Sequence, residues 1–184
     1  MMTNAETRHR LKQIALRLGK SLLLRRFPIA YARACGVTIG NGCRWMNPSS
    51  STFGSEPYLI TIGDHVSIGG GVRFITHDGG VWIFRKELPR LDVIARIRVG
   101  NNVFIGHDCM ILPGVRIHDN VVLGARSVVT RDIPPNVVAA GIPARIISTV
   151  EDYRRRCIEK GVETKMMMPY EKAKFLLNNL RDPE

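Results

Sequence analysis

Long apolar runs are missing from this 184-residue chain, and stretches such as VVAAGIPA are far too short to span a bilayer. A clean apolar leader is missing too, because charged residues are threaded through the apolar ones of the N-terminal segment. The expected compartment is the cytoplasm. Cysteine is sparse: Cys35, Cys43, Cys109 and Cys157 are scattered and form neither a disulfide framework nor a paired metal motif. Structural thiols are expected. Acid is scarce at one end, where residues 1–34 hold eight Arg or Lys against Glu6 alone and so carry +7 of the net +11. Such an end can meet nucleic acid, an anionic membrane surface or an acidic polymer. No nucleic-acid-binding motif accompanies the charge, so nucleic acid is not the expected partner.

What the chain does have is a count of six. Val99, Ile105, Ile111, Ile117, Leu123 and Val129 follow one another at that interval, and Ile62, Ile68 and Phe74 keep it upstream. Ile39, Cys43 and Trp45 make a weaker first instance. Four places after the aliphatic comes a small or β-branched residue: Val66, Val72, Val103, Cys109, Val115, Val121, Ser127, Ile133. A period of six fits neither a helix at about 3.6 nor a lone strand at about 2. It fits a short strand plus a turn, repeated, with one aliphatic entering a shared core each time. The turn slots read GDH, GNN, GHD, HDN and GAR, and Gly, Asn and Asp tolerate positive φ. Units of this kind stack only on neighbours, which predicts a mainly β solenoid of parallel strands.

The stretch VGNNVFIGHDCMILPGVRIHDNVVLGARSVVTRDIPPNVVAAGIPARII, 99–147, resembles the hexapeptide-repeat acyltransferases, in particular the galactoside and maltose O-acetyltransferase branch and the polysaccharide O-acetyltransferases. The likeness covers about residues 37–148. It implies a left-handed parallel β-helix, usually a homotrimer, that takes acetyl-CoA as acyl donor and needs no metal. The handedness rests on the resemblance alone, since the crossover rule favours a right-handed coil. Around the coil, residues 1–36 read as a basic amphipathic helical segment and 149–184 as a helical tail. Leu11, Ile14, Leu18 and Leu22 share one face of the first segment. A cap over the open coil is the preferred reading, with peripheral membrane association as the sharper alternative. In the tail, the Met166–Met168 run is read as packing.

The count fails once it passes Phe74. From there to Val99 is 25 residues, one more than four repeats, and Trp82, Phe84, Arg85, Lys86, Glu87 and Arg90 lie between. None of these fits a narrow prism interior, so the chain must leave the coil over about 76–96 and return. Excursions from a rigid scaffold are where binding and catalysis concentrate. His77 stands at the exit, whereas His65, His107 and His118 occupy turn slots and His9 the basic segment. The resemblance carries the family's catalytic base onto His77 through Thr76-His77-Asp78. Imidazole suits the task because a sugar hydroxyl is hardly ionised at neutral pH and needs a proton acceptor during attack. Direct transfer follows, with backbone N–H groups for the oxyanion. Asp78, Asp92 or a backbone carbonyl could orient the ring.

The same resemblance assigns cofactor contacts to His107, Ala125, Thr130, Arg131 and Arg145, although Ser148 stands where that branch has a further basic residue. Acceptor contacts are expected from Asn47, in the Ser- and Pro-rich break 45–60, and from Trp82 as a stacking platform for a sugar ring. The function implied is acetyl transfer to a hydroxyl of a sugar or glycan. The alternatives are an amino-sugar N-acetyltransferase and a non-catalytic or metal-dependent β-helix. GHDCMILPGV offers leucine and proline where a second zinc ligand would be required, which argues against the metal.

Overall fold

The computed structural model describes residues 22–180, and the chain divides after Glu151 into two compact units. The first unit is built from short strands: β1 (Thr38–Ile39), β2 (Arg44–Trp45), β3 (Ile60–Ile62), β4 (Ser67–Ile68), β5 (Arg73–Phe74), β6 (Ile97–Val99), β7 (Val103–Ile105), β8 (Met110–Ile111), β9 (Arg116–Ile117), β10 (Val121–Leu123), β11 (Val128–Val129), β12 (Val137–Gly141) and β13 (Ala144–Thr149). Successive strands do not pair, apart from the last two. Each pairs with the strand one coil away, which gives three sheets in the orders β1-β3-β6-β9, β2-β4-β7-β10-β12-β13 and β5-β8-β11. All pairs are parallel except β12–β13, which closes the second sheet as an antiparallel hairpin. These sheets are faces one, two and three of a prism. One regular coil is three six-residue units, so Val103 faces Val121 and Arg98 faces Arg116, each eighteen residues on.

The register explains the core. Ile62, Ile68, Phe74, Ile105, Ile111, Ile117, Leu123 and Val129 are all within 1% of full burial, and the register stacks Ile68, Ile105 and Leu123 in one column and Phe74, Ile111 and Val129 in another. Burying such a side chain stabilises by roughly 1.5–3 kcal/mol relative to exposure. The small positions are buried as well, including Cys109 and Ser127. The Ser127 hydroxyl donates to Gly124 O at 2.7 Å and accepts Gly141 N–H at 3.1 Å, so its burial leaves no polar atom unpaired. The turn triplets obey one rule: His65, Asn102, Asp108, Asn120 and Arg126, the third residue of each, all have φ between 53° and 59°.

The first coil is incomplete on its third side. Phe53 fills the gap, edge-on to Trp45 at 5.0 Å and stacked on Phe74 at 5.6 Å. Of the helix expected over residues 10–24, all but the last three residues lie outside the described residues. Residues 22–26 are helical, and with helix α1 (Pro28–Ala34) they bring Leu23, Leu24, Ile29, Tyr31 and Ala32 against the end of the core, as a cap does. In the tail, helix α2 spans Val150–Lys160 and helix α3 Pro169–Asn179. Pro169 opens α3 at its first turn, where a missing N–H costs nothing. Met166 and Met168 are exposed, which corrects the packing expected of them: they precede α3 in a turn and face solvent. Among the described residues no helix is long and apolar enough to cross a membrane.

Candidate active site

The excursion leaves the prism at the corner between faces three and one, and its two ends are zipped together. Ala95 N donates to Thr76 O at 2.8 Å and Asp78 N to Val93 O at 2.9 Å, which makes His77 and Ile94 an antiparallel bridge. Beyond this root the loop has its own order. Asp78 accepts the Gly80 N–H at 2.8 Å and starts a 3-10 helix over Gly79–Phe84, while Arg85 pairs with Asp92 at 3.1 Å. Both acids expected to orient His77 are therefore engaged within the loop.

The ring's partner comes from the coil before. His77 Nδ1 lies 3.0 Å from Glu56 Oε2 and 3.3 Å from Ser55 Oγ. Thr76, fully buried, donates its hydroxyl to the same Glu56 oxygen at 2.5 Å. Glu56 is held below the usual carboxylate range, chiefly by the Thr76 hydroxyl, with His77 and Ser55 adding to this and burial opposing it. His77 is about half exposed, and among the described residues its Nε2 has no hydrogen-bond partner. It opens onto a cleft of about 360 Å³ lined by Ser55, Glu56, His77, Trp82, Arg85 and Val93. Trp82 lines this cleft and is 74% exposed.

Glu56 was missed because it lies in the break 45–60, where the count of six gives no register. The available signal was its place as an isolated acid about one coil before the histidine, followed by Pro57, which starts a 3-10 turn over Pro57–Leu59.

The residues expected to hold the acyl donor lie elsewhere on the coil. His107 and Ala125 form a ridge at the corner between faces two and three: a Cβ on Gly106 would come within 2.5 Å of Ala125 N, and Arg126 N donates to His107 O at 2.7 Å. His107 Nδ1 accepts Gly70 N–H at 3.0 Å, so in the neutral ring of this exposed residue Nε2 carries the proton and is the donor. Asn47, with φ 44°, joins this ridge beside Gly70 and His107 rather than the His77 cleft. Thr130 and Arg131 are exposed at the excursion's corner, two coils further along, and Arg145 is exposed on β13 with its guanidinium donating to Ala144 O at 3.0 Å. Thus one chain brings Trp82 to His77, Asn47 to His107 and Ala125, and leaves the rest apart. Among the described residues no three His, Cys, Asp or Glu side chains are placed to share a metal ion.

A stacked coil of hexapeptide units with a histidine at the root of its excursion defines a class, and comparison with known proteins gives the same class. Residues 96–131 match the bacterial transferase hexapeptide family (six repeats). The chain is 49% identical over 150 residues to protein CapG of Staphylococcus aureus, covering 82% of this chain and 87% of that one. It is 46% identical over 99 residues to the galactoside O-acetyltransferase of Escherichia coli K12, covering 53% of this chain and 47% of that one. Among solved structures, a galactoside acetyltransferase in complex with coenzyme A superposes with a TM-score of 0.56 at 31% identity, over 76% of this chain and 82% of that one. The chain belongs to the hexapeptide-repeat transferase family, and its coil is the left-handed parallel β-helix of that family.

Proposed function

We propose that this protein is an acetyl-CoA-dependent O-acetyltransferase that moves an acetyl group onto a hydroxyl of a sugar or glycan, with His77 as general base. The observation that carries this reading is the geometry of His77: a ring pinned at the root of the excursion, lining a cleft with Trp82, its Nδ1 engaged by Glu56 and its Nε2 without a partner among the described residues. The relatives named as galactoside O-acetyltransferases supply the substrate class and the acyl donor.

In this reading Nε2 of His77 accepts the acceptor's hydroxyl proton as that oxygen attacks the thioester carbonyl carbon. The tetrahedral intermediate collapses with cleavage of the C–S bond, and His77 returns the proton to the departing thiolate. Base catalysis of this kind contributes roughly 10²–10⁴-fold. The residues fit an anionic nucleotide donor: exposed His107 keeps an N–H on Nε2, and Arg126, Arg131 and Arg145 are exposed cations. His77 stands at the corner between faces three and one and the His107 ridge at the corner between faces two and three, so a pocket containing both is assembled between chains. A homotrimer supplies that arrangement. The protein acts in the cytoplasm, and its basic N-terminal segment offers a contact to an anionic membrane face near glycan precursors.

The test is release of thiol from acetyl-CoA by the purified protein across a panel of sugars and amino sugars, beside His77→Ala. Acceptor-dependent release that collapses in the variant is expected, with neutral sugars served better than amines. Release that His77→Ala retains would overturn the assignment of the base.

A further inference from the structure

We infer that Glu56, held by Thr76, is the positioning residue that sets which nitrogen of His77 does the chemistry. The inference rests on His77 being the base, and it adds how that base is made ready.

The argument starts from the atoms around Nδ1. An ionised carboxylate oxygen only accepts hydrogen bonds. Glu56 Oε2 already accepts the Thr76 hydroxyl at 2.5 Å, and Nδ1 of His77 lies 3.0 Å away. Nδ1 must then be the donor, which leaves the basic lone pair of the neutral ring on Nε2, the nitrogen without a partner among the described residues. Had the proton been on Nε2, an acceptor lone pair would point at a carboxylate and Nε2 could not take a proton. Ser55 Oγ, at 3.3 Å from Nδ1, can donate or accept and so does not choose between tautomers.

The carboxylate is itself fixed at both ends. Its backbone is turned by the 3-10 helix that begins at Pro57, where Leu59 N donates to Glu56 O at 3.0 Å. Its head is gripped by a hydroxyl with no exposure to solvent. His77 is fixed independently through its backbone bridge to Ile94. Two coils therefore meet at one oxygen: the earlier supplies the acceptor, and the later supplies both donors, Thr76 and His77, from adjacent residues. The arrangement does for the imidazole what a buried carboxylate does in hydrolase triads: it holds the tautomer and steadies the cation that forms during transfer.

The deciding measurement needs no variant of Glu56: the ring-nitrogen NMR shifts of His77 in the intact protein, assigned by comparison with His77→Ala. The expected state of the neutral ring is Nδ1–H. A ring found as Nε2–H would overturn the inference. Variants give the second readout. In Glu56→Gln the carboxamide can both donate and accept, so the ring should show mixed tautomers and kcat should fall at least ~10-fold, yet less than the ~10²–10⁴-fold expected from losing the base. KM for acetyl-CoA and acceptor should stay within about twofold, because Glu56 acts through the base. Thr76→Val should fall the same way by a smaller factor, and Glu56→Asp should recover part of the loss. Full kcat and an unchanged tautomer in folded Glu56→Gln, with His77→Ala inactive, would sink this inference and leave the base assigned. Activity retained in His77→Ala would instead sink the reading beneath it.

Discussion

Asn102 Nδ2 donates to Asn120 Oδ1 at 2.8 Å, and both residues sit in the left-handed region, with φ of 53° and 56°. The contact is one rung of a column along the corner between faces one and two. His65 Nδ1 meets Asn102 Oδ1 at 2.8 Å, and Asn120 Nδ2 donates to Asn136 Oδ1 at 3.0 Å. Each rung ties a turn to the turn one coil further on. Asparagine serves here for two reasons: it tolerates positive φ, and its amide both accepts and donates along the stack.

Asn120→Ala removes two rungs and places a Cβ residue with no compensating amide in a left-handed turn. Roughly 0.5–1.5 kcal/mol is expected for each hydrogen bond, with about 1–2 kcal/mol more from the backbone. Asn120→Gly loses the bonds but not the conformation, so it should be the milder change by about 1 kcal/mol. Denaturant midpoints at one protein concentration check the order. A glycine variant less stable than the alanine variant would count against this account.

The repeat was legible to this depth because it is one-dimensional: each core position is fixed by its own count of six. Val99, Ile105 and Ile111 needed no knowledge of distant chain to be placed inside. Arg126 in a positive-φ slot was legible only through its position in the triplet, since arginine does not favour that region by itself. Glu56 was not legible as the partner of His77. Two breaks, 45–60 and 76–96, separate the local count from the contact, and which acid meets the ring depends on how each loop folds. Asp78 and Asp92 were nearer in the chain, but the loop's own turn and its Arg85 engage them. The division of His77 and His107 between two corners likewise follows from the prism and not from spacing.

Coil stacking predicts a contrast between two glycines. A Cβ on Gly106 would meet Ala125 N at 2.5 Å, Ala125 Cα at 2.8 Å and Leu123 O at 2.8 Å, all in a neighbouring coil that cannot withdraw without opening the ladder. Gly106→Ala should cost about 1–3 kcal/mol as an overpacked site. It should also weaken acetyl-CoA binding, because the His107–Ala125 ridge is displaced. A Cβ on Gly79 meets nothing within 4 Å, so Gly79→Ala should stay within about 0.5 kcal/mol of the parent. Thermal melts and acetyl-CoA titration of both variants decide the matter.

Glu56 also makes stability depend on pH in a stated direction. Its folded-state pKa is lowered, so its contribution is fully present above the unfolded carboxylate value, about 4.3, and is lost as pH falls through the folded value. Glu56→Gln has no such proton to bind. Below the unfolded carboxylate value the stability advantage of the parent over Glu56→Gln should shrink with further acid. Melting temperatures of the two proteins from about pH 5 downward provide the check, and an advantage that grows over that range would contradict the assignment.

The outer side of face one carries a conflict that substitution can relieve. Thr38 pairs with Thr61, Thr61 with Arg98 and Arg98 with Arg116, so one exposed column ends in two arginines in direct register. Both are exposed, and among the described residues neither makes a salt bridge. Like charges directly opposite each other on a sheet are destabilising, and an opposite pair there contributes about 0.2–1 kcal/mol. Arg98→Glu should therefore stabilise the coil by about that amount at low salt, with the gain fading toward 1 M salt as the Debye length drops to about 3 Å. Arg98→Thr, which extends the threonine column and removes the repulsion without adding an attraction, should give a smaller gain. If both variants lower the melting temperature, repulsion between the paired arginines is outweighed on this face, and their stems are stabilising it by covering apolar strand surface instead.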